Sequence, residues 1–165
     1  MATDFSFDVV SKVDMNVVDE CVQAAMKEIV NRFDFKGSVS KIDFNAKDAK
    51  MTVASDDEFK LKSVMDILNT RLAKRGLPLK NFQPQKLETA LGGTVRQELK
   101  VQQGIPTDKA KEIVAEIKKS GRKVTASIQA DQVRVNSRSK DELQAVMALL
   151  KARSFDVDLQ FTNYR

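Results

Sequence analysis

Four apolar residues of one helical stripe, Leu61, Val64, Met65 and Leu68, return as Leu143, Val146, Met147 and Leu150 at a constant spacing of 82 residues. Whatever the first half of the chain builds, the second half must be able to build again. In the first half, alternation at Phe5, Phe7 and Val9 predicts a strand. Val17, Val18, Cys21, Val22, Ala25, Ile29 and Phe33 then predict a helix. Ile42/Phe44 and Met51/Val53 flank "NAKDA" as two further strands, the stripe from Leu61 to Leu72 is a second helix, and another strand is expected near "LPLKNF", residues 77–82. After "ALGG" the order recurs. A strand at "TVRQELKVQ" leads to a helix from about Thr107 to Lys119, strands at "KVTASIQ" and "QVRVNS", a helix from Ser139 and a last strand near "DVDLQF". Leu77 and Leu79 match Leu159 and Phe161 at the same spacing of 82. Both second helices open on capping-box sequences, "SDDE" at 55–58 and "SKDE" at 139–142. These boxes are 84 residues apart, which places a two-residue shift between cap and stripe.

A β-α-β-β-α-β unit is the ferredoxin-like arrangement, an antiparallel sheet with both helices on one face. The expectation is an α+β chain of two such units, residues 1–90 and 91–165. Each sheet then has an apolar side under the helices and a second side that is free to be polar. In the second copy Leu99, Val101, Val124, Ala126, Ile128, Val133, Val135, Leu159 and Phe161 take the helix side. Arg96, Lys100, Lys123, Thr125, Ser127, Gln129, Arg134, Asn136 and Gln160 stand opposite, with Glu98 the single interposed acid.

Charge placement agrees with that polar side. Residues 1–83 hold 13 basic and 13 acidic side chains, whereas residues 84–165 hold 15 and 10, so the net charge of +5 lies in the second half. A localised basic excess suits a phosphate-bearing partner, and it also serves solubility. Histidine is absent, which removes the usual general base and the commonest metal ligand. Cys21 is the only cysteine, so neither an intrachain disulfide nor a cysteine metal cluster is available. No cofactor is expected. Neither a membrane span nor a signal peptide is apparent in the sequence, and a cytoplasmic location is expected.

The segments "FDFKG" at 33–37, "VQQGI" at 101–105, "QVRV" at 132–135, "DELQAVMALL" at 141–150 and "LQFTNYR" at 159–165 resemble the bacterial YajQ family across essentially the whole chain. The resemblance implies a tandem pair of ferredoxin-like domains related to RNA-recognition domains, with first strands that can be exchanged between the units. In the exchanged form residues 5–11 complete the C-terminal sheet and residues 95–103 the N-terminal one, which moves Arg96 and Lys100 to the other sheet. The resemblance also implies binding of a nucleotide (cyclic di-GMP, GTP or ATP) or RNA, and no catalytic activity.

RNA-recognition domains stack bases on aromatics in their central strands, but "KMTVAS" and "QVRVNS" contain none. Binding would therefore rest on arginine planes, lysine–phosphate contacts, and hydroxyl and amide donors. Arg134 ranks first, either as a phosphate partner or as a stacking plane, against the plain reading of a solvated strand arginine. Lys123, Thr125, Asn136 and Arg138 surround it, and Arg96, Lys100, Phe35 and Lys36 complete the candidate set.

Several other features have plainer explanations. Lys118, Lys119, Arg122 and Lys123 around Gly121 suit a helix C-terminus. "LGGT" at 91–94 lacks the Gly-Lys-Ser/Thr of a phosphate loop, "QQGIPTDKA" reads as a helix start, and Cys21, Met65 and Met147 read as core. Within "NRFDFKGS", Phe33 continues the helical stripe and reads as core, while Phe35 either packs beneath the sheet or projects toward a ligand. The functional candidates are a non-catalytic, regulatory nucleotide- or RNA-binding protein, an adaptor for a transcription factor or chaperone, and, least favoured by the missing histidines, an enzyme.

Overall fold

The computed structural model describes residues 4–165. The elements run β1 (Phe5–Val10), α1 (Met15–Asn31), β2 (Lys41–Asn45), β3 (Lys50–Ser55), α2 (Glu58–Lys74), β4 (Phe82–Pro84), β5 (Glu88–Thr89), β6 (Val95–Val101), α3 (Thr107–Lys119), β7 (Thr125–Gln129), β8 (Gln132–Ser137), α4 (Lys140–Ala152) and β9 (Gln160–Thr162). The chain is α+β with two sheets and divides into two compact units. One is Val13–Gln102; the other joins the chain up to Lys12 with Gln103–Arg165.

In the Val13–Gln102 unit the strands lie in the order β2-β3-β6-β4, with β5 on β6. Val18 and Ala25 of α1 and Leu68 and Leu72 of α2 bury against Met51, Val53, Leu99 and Val101 of the sheet. The carboxylate of Asp14 caps α1 by accepting from the backbone N–H groups of Asn16 and Val17 at 3.0 and 3.4 Å. The helix ends at Asn31, because Arg32 turns to extended backbone at φ −84° and ψ 132°, and a 3-10 turn then covers Phe33–Phe35. This break corrects the expectation for Phe33. The helical phase is lost one residue before it, so Phe33 stands 88% exposed while Phe35, at 5%, takes the core position.

The cap of α2 also differs from expectation. Asp57, not Ser55, accepts from the Lys60 N–H at 2.7 Å, because Ser55 is still part of β3, with its hydroxyl 2.8 Å from that of Ser40. Ser139 does cap α4, accepting from the Glu142 N–H at 3.4 Å. Glu142 does not reach back to complete a box; its carboxylate accepts from the Lys123 N–H at 3.2 Å instead. Asp57 and Ser139 are 82 residues apart, the spacing of the stripe itself, so no shift between cap and stripe is needed. The segment at 77–82 is not a strand over its length. A 3-10 turn occupies Leu79–Asn81, with Asn81 buried and its amide donating to the Gln102 carbonyl at 3.0 Å, and pairing begins at Phe82.

In the second unit the order is β7-β8-β1-β9. β1 is central, with Phe7 opposite Val135, Asp8 opposite Arg134 and Val9 opposite Phe161. Phe7, Val9, Val133 and Val135 form the apolar side beneath Ile113 and Ile117 of α3 and Val146 and Leu150 of α4. Val124, Ala126, Leu159 and Phe161 pack against this core as expected, whereas Ile128, next to the β7–β8 turn, is exposed. Gly104, at φ +83°, introduces α3; a methyl group there would lie 2.5 Å from a carboxylate oxygen of Asp131.

Candidate polar face of the C-terminal sheet

Residues 6, 8 and 10 of β1, 125, 127 and 129 of β7, 132, 134 and 136 of β8, and 160 and 162 of β9 share the side of this sheet opposite the core, by strict alternation from the strand registers. The row is Ser6, Asp8, Val10, Thr125, Ser127, Gln129, Gln132, Arg134, Asn136, Gln160 and Thr162. Apart from the buried Val10, opposite Gln160, it is polar, and it carries no aromatic ring, so base stacking on the sheet itself has to use the arginine.

Arg134 is not an unengaged cation. Its Nε donates to Asp8 Oδ1 at 2.9 Å and its Nη2 to Asp8 Oδ2 at 3.4 Å. Asn163 Nδ2 donates to the same carboxylate at 2.8 Å, and Arg165 Nε donates to Asn163 Oδ1 at 3.4 Å. Asp8 is 4% exposed, whereas the Arg134 side chain keeps 35% of its surface. Hydrogen bonding from Arg134 holds the Asp8 carboxyl below its ordinary range; burial opposes this and Asn163 adds to it. The pair fixes the guanidinium at one edge and leaves its planar faces to other partners.

Asp8 is the acid of this face, and the repeat pattern missed it. Glu98, expected as the interposed acid, lies in the other sheet at the register partner of Thr52. The signal was present in "FSFDVV", where Ser6 and Asp8 fall on the polar parity of β1. What local alternation does not say is which sheet β1 enters.

Four of the candidates converge beside this pair. Lys123, Thr125, Asn136 and Arg138, with Asp4, Val124 and Ser137, line a cleft of about 260 Å³. Thr125 and Asn136 are register partners, and the Lys123 carbonyl accepts from the Ser137 hydroxyl at 2.8 Å, which ties the end of β8 to the start of β7. Arg138 is exposed, with its Nε 3.9 Å from Asp4 Oδ1.

The remaining candidates belong to the Val13–Gln102 unit. Arg96 and Lys100 are on β6, opposite Ala54 and Lys50. Arg96 Nε and Nη2 each lie 2.8 Å from Glu88 Oε2, and Lys100 lines a separate cleft of about 270 Å³ with Lys50, Gln85 and Glu98. Phe35 is buried at the end of α1, its ring 5.3 Å from the Arg32 guanidinium carbon and 4.9 Å from the Lys60 ammonium. Lys36, exposed, ends the 3-10 turn with its N–H on the Phe33 carbonyl at 3.1 Å. Cys21 is buried, which pushes its thiol pKa up. Among the described residues no helix is long and apolar enough to cross a membrane, and no group of three His, Cys, Asp or Glu residues is placed to hold a metal ion.

Comparison with known proteins matches the chain to bacterial relatives along nearly their full length. The chain is 61% identical over 162 residues to a nucleotide-binding protein of Elusimicrobium minutum, covering 98% of this chain and 99% of that one. It is 48% identical over 165 residues to a nucleotide-binding protein of Carboxydothermus hydrogenoformans and 50% identical over 165 residues to one of an Exiguobacterium species, with both chains of each pair fully covered. The family model described as nucleotide-binding protein YajQ-like matches residues 5–165, and the chain belongs to the YajQ family.

Proposed function

We propose that this protein is a non-catalytic, regulatory nucleotide-binding protein that takes cyclic di-GMP, GTP, ATP or RNA on the polar face of its C-terminal sheet. The observation that carries this reading is the convergence of Lys123, Thr125, Asn136 and Arg138 on one cleft. Lysine and arginine supply charge for phosphate, while the threonine hydroxyl and asparagine amide supply directed donors. Arg134, its edge held by Asp8, offers a preoriented plane to a base.

The proposed architecture is a tandem pair of ferredoxin-like repeats, 1–90 and 91–165, with exchanged first strands. It is supported by the pairing of β1 with β8 and β9 and of β6 with β3 and β4. The non-catalytic reading rests on the lack of histidine, the commitment of Asp8 to an ion pair and the burial of Cys21. Relatives named as nucleotide-binding proteins support the ligand class.

The test is calorimetric titration of the parent and a Lys123→Ala/Arg138→Ala variant with cyclic di-GMP, GTP, ATP and a short single-stranded RNA. Binding tighter than tens of micromolar, roughly 6 kcal/mol, is expected for at least one ligand, with weakening in the variant. RNA binding should fall steeply with added salt as phosphate contacts release counterions. Silence from all four ligands refutes the reading.

A second reading, an adaptor for a transcription factor or chaperone, draws on Val30, Phe33 and Phe59, apolar side chains that are solvent-exposed in the Val13–Gln102 unit. Under it, a Phe33→Ser/Phe59→Ser variant loses partner binding and keeps its nucleotide affinity.

A further inference from the structure

The C-terminal unit also carries an apolar groove of about 610 Å³ along α4, lined by residues other than those of the polar cleft. Phe5, Leu143, Met147 and Tyr164 wall it, and Lys140, Lys151 and Arg165 rim it. Backbone pairing builds the groove: the Arg165 N–H donates to the Ser6 carbonyl at 2.9 Å and the Ser6 N–H to the Arg165 carbonyl at 3.2 Å. This pairing fixes the segment carrying Tyr164 beside the start of β1. Residues 140, 144, 147, 148 and 151 are one helical stripe of α4, the opposite wall.

Two features of this groove point to its ligand. The first is aromatic surface, which the polar face lacks. Tyr164 is 62% exposed, its ring 6.4 Å from that of Phe7, and its hydroxyl points to the Met147 sulfur at 3.9 Å. The second is charge of one sign. Among the described residues no Asp or Glu side chain lines the groove, and the ammonium groups of its two lysines lie against aromatic rings. The Lys140 ammonium is 4.9 Å from the Phe5 centroid and the Lys151 ammonium 5.6 Å from that of Phe161. A phosphate gives such an ammonium a stronger partner than a ring face and leaves the ring for a planar group. The volume falls within the range of small-molecule sites.

We infer that this groove is a further stacking subsite for a base of the bound ligand, held against Tyr164 and Phe5, with Lys140, Lys151 and Arg165 on the phosphate next to that base. The inference rests on the nucleotide-binding reading and supplies the stacking surface absent from the sheet. Groove and polar cleft adjoin in sequence at two points: Phe5 lines the first and Asp4 the second, and Lys140 lines the first and Arg138 the second.

Tyr164 is the only tyrosine, so ring-labelled tyrosine places a single NMR reporter inside the groove. The experiment titrates ATP, GTP, cyclic di-GMP and a short single-stranded RNA into labelled protein, with calorimetry in parallel on the parent, Tyr164→Ala and Lys140→Ala/Lys151→Ala. All three positions are exposed. The expected result is a saturable shift of the Tyr164 ring signal that follows the calorimetric isotherm. Both variants should bind at least about tenfold more weakly with unchanged melting temperatures. Calorimetric binding without movement of the Tyr164 signal, or with parental affinity in both variants, overturns the groove and leaves nucleotide binding intact. Absence of heat with every ligand overturns both.

Discussion

Replacing Phe35 with alanine, beside the same change at Phe33, tests how the end of α1 is built. The two rings belong to one 3-10 turn, yet Phe35 is 5% exposed and Phe33 88%. A buried phenylalanine removes about 150–200 Å² from water. At about 25 cal/mol per Å² this amounts to about 4–5 kcal/mol. A compact denatured chain that already hides part of the ring lowers it to about 3 kcal/mol. Arg32 and Lys60 lie over the ring, and their flexible chains can settle into part of the space it vacates. Phe35→Ala should therefore cost about 3 kcal/mol, at the lower end of buried aromatic truncations. Phe33→Ala should stay within about 0.5 kcal/mol of the parent. In urea, with a slope of about 2 kcal/mol/M, the first variant loses about 1.5 M in midpoint and the second almost nothing. Equal midpoints, or a larger loss for Phe33→Ala, would refute the assignment of Phe35 to the core. Nucleotide affinity of folded Phe35→Ala should match the parent, because the ring is buried in the core of the Val13–Gln102 unit.

Asp8→Asn should cost about 1 kcal/mol at neutral pH, a charge-assisted hydrogen bond discounted for the partial exposure of Arg134. Because the folded-state pKa of Asp8 lies below its unfolded value, this stability is present above the unfolded carboxyl range. It is lost as pH falls through the lower folded value, so parent and variant denaturation curves should converge below about pH 4. Asp57→Ala removes the hydroxyl-free cap of α2 and should lower stability by about 1 kcal/mol in chemical denaturation. Gly104→Ala adds a Cβ that meets Asp131 Oδ2, Cβ and Cγ at 2.5, 2.8 and 2.9 Å on a backbone of φ +83°. Rotating the carboxylate away does not clear the Cβ, so a loss of about 1–3 kcal/mol is expected in thermal melts.

Elements whose ends are spelled by local chemistry were legible in the sequence. α3 runs from Thr107 to Lys119 as read, because Pro106 at its start and the cations before Gly121 mark its two ends, and the alternation of "QVRVNS" gave β8 its faces. Misreadings arose where two local signals competed. Ser55 is a good capping residue, but the β3 ladder reaches it first, and Phe33 fits the stripe of α1 only if the helix continues past Arg32. The polar side of the C-terminal sheet was legible as a set of side chains, Thr125, Arg134 and Asn136 among them. The state of Arg134 was not, since it depends on a carboxylate 126 residues earlier in the chain. Nor was the α4 groove, which requires Phe5, Met147 and Tyr164 to be brought together.

The Gly104 N–H donates to the Ser11 carbonyl at 2.7 Å, so the chain returns after the whole Val13–Gln102 unit to the place it left. During translation this orders events. β1 emerges first, but its partner β8 follows only about 130 residues later, a wait on the order of 10 s at ordinary ribosomal rates. Until then "FSFDVV" is a strand without a sheet, and the residues of the Val13–Gln102 unit are all made before β8. Once residues 13–102 have condensed, the flexible loop that β1 must span to reach β8 is shorter by that length, so folding of the internal segment lowers the closure cost for the two ends of its own chain.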